Sequence, residues 1–168
     1  MRKRSKYRPK PVILDCITYV KTGFTPMVDM KNVLLNLQLK NHSALEALRV
    51  GDATKEDIDT IISALNITEA LSMQGIGDDY KEEIKEAQDA LFECAKRGAE
   101  NYKFVVKGLE LKAINYAMEL HDAQLHASTV RDIEKAIDTV KNTIIQKKAR
   151  AIVEKSPTKS GEKAENLL

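Results

Sequence analysis

The sequence predicts an all-α protein: an irregular bundle of about five helices, with a basic N-terminal arm before it and a disordered C-terminal tail after it. Three observations predict this. Apolar residues recur at spacings of three and four, as in Ile84, Ala87, Leu91, Cys94 and Ala95 or Ile133, Ile137, Val140 and Ile144, which is the period of a helix with one buried face. Glycines and capping residues punctuate these stripes where one helix should end and the next begin. No internal repeat and no sustained heptad organises them, so neither a solenoid nor a coiled coil is expected. At 168 residues the chain is long enough for one core without disulfides or metal. It divides into an arm at 1–11, a helical domain at 12–153 and a tail at 154–168.

The elements follow in order. Arg2, Lys3, Arg4, Lys6, Arg8 and Lys10 place six cations and no anion in the first ten residues, with Tyr7 among them and Pro9 and Pro11 closing the run. Such a block repels itself and is expected to be solvated. Residues 12–20 are apolar and β-branched, readable as a short helix or a strand, with helix favoured; Gly23 and Pro26 follow. From Asp29, Leu34, Leu37, Ala44, Leu45 and Leu48 line one helical face until Gly51, although Leu35, Leu37 and Leu39 also alternate as in a strand. Thr54 with Asp57 three residues on has the form of a helix cap, opening a helix through Ile58, Ile61, Ile62, Leu65 and Leu71 that Gly75 and Gly77 end.

Asp78 and Asp79 are expected to cap the next helix, in which Tyr80, Ile84, Ala87, Leu91, Cys94 and Ala95 form the stripe and Glu82, Glu83, Glu86, Asp89 and Glu93 lie elsewhere. Gly98 and Gly108 bracket a connector of undecided form. Beyond it Leu111, Ile114, Met118 and Leu125 mark one helix, and Val130, Ile133, Ile137, Val140 and Ile144 another. The stripe changes phase near 127–129, where either Ser128 or Thr129 starts a new helix or one long helix bends. From Glu154 the composition turns to Ser, Pro, Thr, Lys, Gly and Glu, the signature of a disordered tail.

The formal charge is only +2, yet it is unevenly spread: residues 51–100 hold thirteen acids against five bases. Cys16 and Cys94 are too few for a disulfide framework and too far apart for a zinc site, which points to reduced thiols and a cytoplasmic protein. No apolar run is long enough for a membrane helix.

Two surfaces are candidate sites. The arm, Arg2, Lys3, Arg4, Lys6, Tyr7, Arg8 and Lys10, suits DNA or RNA phosphates, with Tyr7 available for stacking. The acids Glu82, Glu83, Glu86, Asp89 and Glu93 are either an ordinary solvated face or a surface for a basic protein partner. Tyr102, Lys103, Phe104 and Lys107 interleave aromatics with cations, but beside Val105 and Val106 the rings read better as core. His121, Asp122 and His126 invite comparison with metal-dependent hydrolases. His121 falls on the apolar stripe, however, while Asp122 and His126 share another face with Glu119, so no metal ligand set and no catalytic residue is assigned. His42 lies too far upstream in the chain to be linked to them. Gly75-Ile76-Gly77 lacks the lysine and preceding strand of a phosphate loop. No cofactor is implied.

MRKRSKYRPK at the start, Lys40-Asn41-His42-Ser43-Ala44-Leu45, and Met118-Glu119-Leu120-His121-Asp122-Ala123-Gln124-Leu125 leading to Thr129-Val130-Arg131-Asp132 together resemble small uncharacterised proteins of tailed phages and prophages of Gram-negative bacteria, over residues 1 to about 150. The resemblance implies a setting, the cytoplasm of a bacterial host, and no chemistry. The leading expectation is a non-catalytic accessory protein whose arm contacts nucleic acid or a nucleic-acid-bound host complex. The alternative is an inhibitor or adaptor that binds a bacterial host protein, such as a defence nuclease, through the acidic helix. A metal-dependent hydrolase ranks third.

Overall fold

A computed structural model describes residues 16–101, 103–146 and 148. Among them the protein is all-helical, with six α-helices: α1 (Cys16–Gly23), α2 (Lys31–Val50), α3 (Lys55–Met73), α4 (Lys81–Asn101), α5 (Gly108–Ala127) and α6 (Val130–Ile145). The count exceeds the expected five because residues 16–20, the described part of the short β-branched segment, lie in a helix, α1. The arm and the tail lie outside the described residues.

α3 is the hub and touches α2, α4, α5 and α6. Its sequence explains why. Ile58, Ile61 and Leu65 bury one side into the main core with Leu48 of α2, Leu91 and Cys94 of α4, and Ile114 and Met118 of α5. Ala70 and Leu71 bury the other end against Ala136, with Ile133 and Val140 of α6 packed alongside. A Leu91→Ala cavity at this centre would cost on the order of 2–5 kcal/mol.

The helix ends are chemically marked. Gly51 stops α2 at φ 82°, a left-handed conformation that other residues adopt at a cost. Thr54 accepts the Asp57 amide while the Asp57 carboxylate accepts the Thr54 amide at 2.8 Å, so α3 opens on a complete capping box. Thr129 and Asp132 repeat that arrangement, with the Thr129 amide donating to Asp132 at 3.0 Å. The capping box settles the junction at 127–129: two helices meet there, and Thr129 opens α6. Asp78 and Asp79 were expected to cap α4; with Tyr80 they form a 3-10 turn that leads into it, and left-handed Gly77 stands at the cap position of that turn. Tyr80 accordingly leaves the buried stripe and meets Tyr116 edge-on, ring centroids 6.4 Å apart.

α4 runs through Gly98 instead of stopping there. A Cβ on Gly98 would sit 2.1 Å from Cδ1 of Phe104, so the missing side chain is what lets that ring close over the helix and join the core. Arg97 holds the same connector, donating to Glu110 at 2.9 Å and to the Val105 carbonyl at 3.0 Å.

α1 is fastened to the start of α6. The Met27 amide donates to the Ser128 carbonyl at 2.9 Å and the Val130 amide to the Thr25 carbonyl at 3.0 Å, an isolated antiparallel bridge. The Arg131 guanidinium lies between two rings, 5.7 Å from the centroid of Tyr19 and 4.8 Å from that of Phe24. Among the described residues no helix is long and apolar enough to cross a membrane.

Candidate functional site: an acidic helix beside an apolar groove

α4 separates its residues by helical phase. Ile84, Ala87, Leu91, Cys94 and Ala95 are buried, and Glu82, Glu86 and Glu93 are exposed on the opposite side, with half-buried Asp89 in line with them. At 100° per residue these four acids fall within about 60° of one another, a single strip down the helix. Glu83, read from sequence as part of the same surface, sits on the flank and is half-buried. Glu82 and Glu83 also occupy the first turn, where the helix dipole favours negative charge.

Beside the strip a groove of about 450 Å³ opens between α4 and α6, with α3 as its floor. Ile62, Leu65, Met73, Phe92, Val140 and Ile144 give it apolar walls; Lys85, Asp89 and Lys148 stand among the polar lining. Gln88 ties the floor to α4, donating to Glu69 at 2.9 Å. The apolar stripe of α6 outruns what α3 covers: Ala136 is its buried residue, whereas Ile144 is 57% exposed.

The histidines form a seam between helices. His121 is buried and its Nδ1 is hydrogen-bonded to Thr68 Oγ1 at 2.9 Å, the hydroxyl that also reaches the Ala64 carbonyl at 2.9 Å. Burial pushes its pKa down to about 4, against the pull of Asp122, and His42 pushes the same way as burial. Asp122 and His126 face α2 instead: His42 Nε2 meets Asp122 at 2.6 Å, and Gln38 meets His126 at 3.4 Å. His121 is thus separated from Asp122 and His126, as its position on the apolar stripe implied. Among the described residues no three His, Cys, Asp or Glu side chains are grouped to hold a metal ion. The His42–Asp122 pair escaped the sequence reading, because a contact across 80 positions leaves no local signal.

The remaining sequence candidates divide. Arg2, Lys3, Arg4, Lys6, Tyr7, Arg8 and Lys10 lie outside the described residues, as does Tyr102. Phe104 packs on the core, while Lys103 and Lys107 are exposed. Comparison with protein-family models, with curated proteins and with solved structures finds no match.

Proposed function

We propose that this chain is a non-catalytic accessory protein that acts by binding, and that its working surface is the acidic strip of α4, which takes a basic surface of a partner protein. The observation that carries the reading is the alignment of Glu82, Glu86, Asp89 and Glu93 on the side of α4 opposite the core, from a chain segment rich in acids. Aligned charge of one sign steers a complementary partner and rejects like-charged ones. His42 and Asp122 engage each other and fasten α2 to α5, which suits a rigid scaffold. The resemblance to phage and prophage proteins supports a bacterial host protein as the partner, with inhibition or bridging as the outcome.

A second reading rests on Arg2, Lys3, Arg4, Lys6, Arg8 and Lys10: contact of the arm with DNA or RNA phosphates, which would be sequence-blind and salt-sensitive. One experiment separates the two. Recovery from bacterial lysate is compared for the native chain and a Glu82→Lys, Glu86→Lys, Glu93→Lys variant, each with and without nuclease, after circular dichroism has shown both to be equally helical. The acidic-strip reading expects a protein retained after nuclease and lost on charge reversal. Recovery that depends on nucleic acid and ignores the reversal transfers the function to the arm.

A further inference from the structure

We infer that α1, with the basic stretch before it, seats this protein on a membrane surface that carries anionic lipid, the helix lying in the headgroup plane. The inference goes beyond the acidic-strip reading, which concerns α4. It starts from how little of α1 the fold uses. The helix rests on the bundle mainly through α6. Gly23 marks the face that makes this contact: it is buried, and a Cβ there would sit 3.0 Å from Nε of Arg131. At 100° per residue, Ile17, Val20 and Phe24 fall within about 60° of one another, in an arc centred about 90° from Gly23. The Phe24 amide still donates to the Val20 carbonyl at 3.2 Å, so Phe24 keeps the helical phase. These three residues are 63%, 46% and 62% exposed. They form an apolar stripe that the bundle leaves uncovered, while exposed Thr18, Lys21 and Thr22 give α1 a polar side.

Charge selects what covers the stripe. Residues 1–25 hold seven cations, six in the arm and the seventh Lys21, against one acid, Asp15. Lys21 lies next to the stripe on α1, and the Arg131 guanidinium stands 4.8 Å from the centroid of the Phe24 ring at its far end. Nucleic acid would answer the cations through its phosphates, but its backbone gives Ile17 and Val20 no apolar surface to bury against. A bilayer interface answers both features. Anionic headgroups attract a polybasic segment, and the boundary of the acyl chains takes up aliphatic and aromatic side chains. A weak apolar anchor becomes a stable one when a basic patch adjoins it, and here the two are consecutive in the chain. The eight residues of α1 are about 12 Å long, far short of the ~30 Å hydrocarbon core, so the helix lies on the membrane and does not cross it.

The test sediments the full chain with vesicles of phosphatidylcholine alone and with vesicles of phosphatidylcholine mixed with phosphatidylglycerol. Beside the native chain stand an Ile17→Gln, Val20→Gln variant and one in which Arg2, Lys3, Arg4, Lys6, Arg8 and Lys10 are replaced by glutamine. Ile17 and Val20 are exposed and glutamine is a good helix former, so the bundle is retained, and circular dichroism checks it. The expected result is at least tenfold stronger partitioning onto the anionic vesicles, reduced at least tenfold in each variant. Partitioning that ignores Ile17→Gln, Val20→Gln overturns the seat of α1, and equal partitioning onto both vesicles overturns the part given to the cations; either result rejects the proposal. No vesicle binding, with binding to a short DNA duplex or to RNA that only the arm variant loses, overturns it in favour of nucleic acid. No vesicle binding, with a dimer in sedimentation velocity that Ile17→Gln, Val20→Gln dissociates, overturns it in favour of a second copy. Both variants leave the α4 strip intact, so none of these outcomes decides the acidic-strip reading.

Discussion

Acidification below pH 6.5 should weaken this protein through one imidazole. His121 is 1% exposed, is hydrogen-bonded to Thr68, and has its pKa pushed down by burial from 6.5 to about 4. In the unfolded chain the ring recovers its ordinary value, so between pH 6.5 and pH 4 the unfolded state binds a proton that the folded state refuses. Stability is therefore full above pH 6.5, falls as the pH drops, and levels off below pH 4. The depression of the pKa corresponds to a limit of about 3 kcal/mol, of which about 2.5 kcal/mol is lost by pH 4.5. Glu110 and Asp132 behave differently. Burial works against their charged forms, but bonds from Arg97 and the Lys107 amide to Glu110, and from Thr129 to Asp132, hold both below the usual carboxylate values of 4.5 and 3.8. Their contributions are lost only as the pH falls below those values, so neither accounts for a loss between pH 6.5 and pH 4.5. Urea unfolding at pH 7.0, 6.0, 5.0 and 4.5, run on the native chain and on His121→Gln, measures the effect. Glutamine can still hydrogen-bond to Thr68 but takes up no proton. The native chain should lose about 2 kcal/mol more than the variant across that interval; equal losses would refute the assignment.

Two further perturbations test the packing. Gly98→Ala should lower stability by a net ~1 kcal/mol, because expelling Phe104 from its seat outweighs the gain in helix propensity, and it should raise proteolysis of the connector at 103–107. A more stable variant with an intact connector would contradict the close approach. Thr129→Ala removes the cap of α6 and should cost roughly 1 kcal/mol in chemical unfolding, with Thr54→Ala costing a similar amount at α3. A silent Thr129→Ala would mean that the cap contributes nothing to the stability of α6.

Most of the bundle was legible because it rests on local signals. The stripes of α3, α4, α5 and α6 and the Thr54 cap are periodic or adjacent in sequence, and each corresponds to the element that formed. Thr129 with Asp132 carries the same signature as Thr54 with Asp57, and that signature marks the break in phase as the start of a new helix. The strand-like alternation in α2 comes from Leu35 and Leu39, which are 63% and 64% exposed; they are apolar without being core, which periodicity cannot reveal. Asp78 and Asp79 look like caps but sit in a turn whose course is set by left-handed Gly77. The acidic strip could be placed on one helix from sequence alone, apart from Glu83. The groove could not, because it exists only through the placement of α4 and α6 on α3, and neither could the His42–Asp122 contact.

The bridge between Pro26 and Thr129 pairs the segment that follows α1 with the residue that caps α6, two parts of the chain made far apart in time. α1 leaves the ribosome first, but its fasteners, the Ser128 carbonyl, the Val130 amide and the Arg131 guanidinium, are translated about a hundred residues later. At 5–20 residues per second this leaves a gap of roughly 5–20 s. Throughout that interval Tyr19 and Phe24 have no guanidinium to stack on, and the cations at Arg2–Lys10 have already emerged ahead of them. Tyr19 and Phe24 are therefore made well before the Arg131 that they stack on.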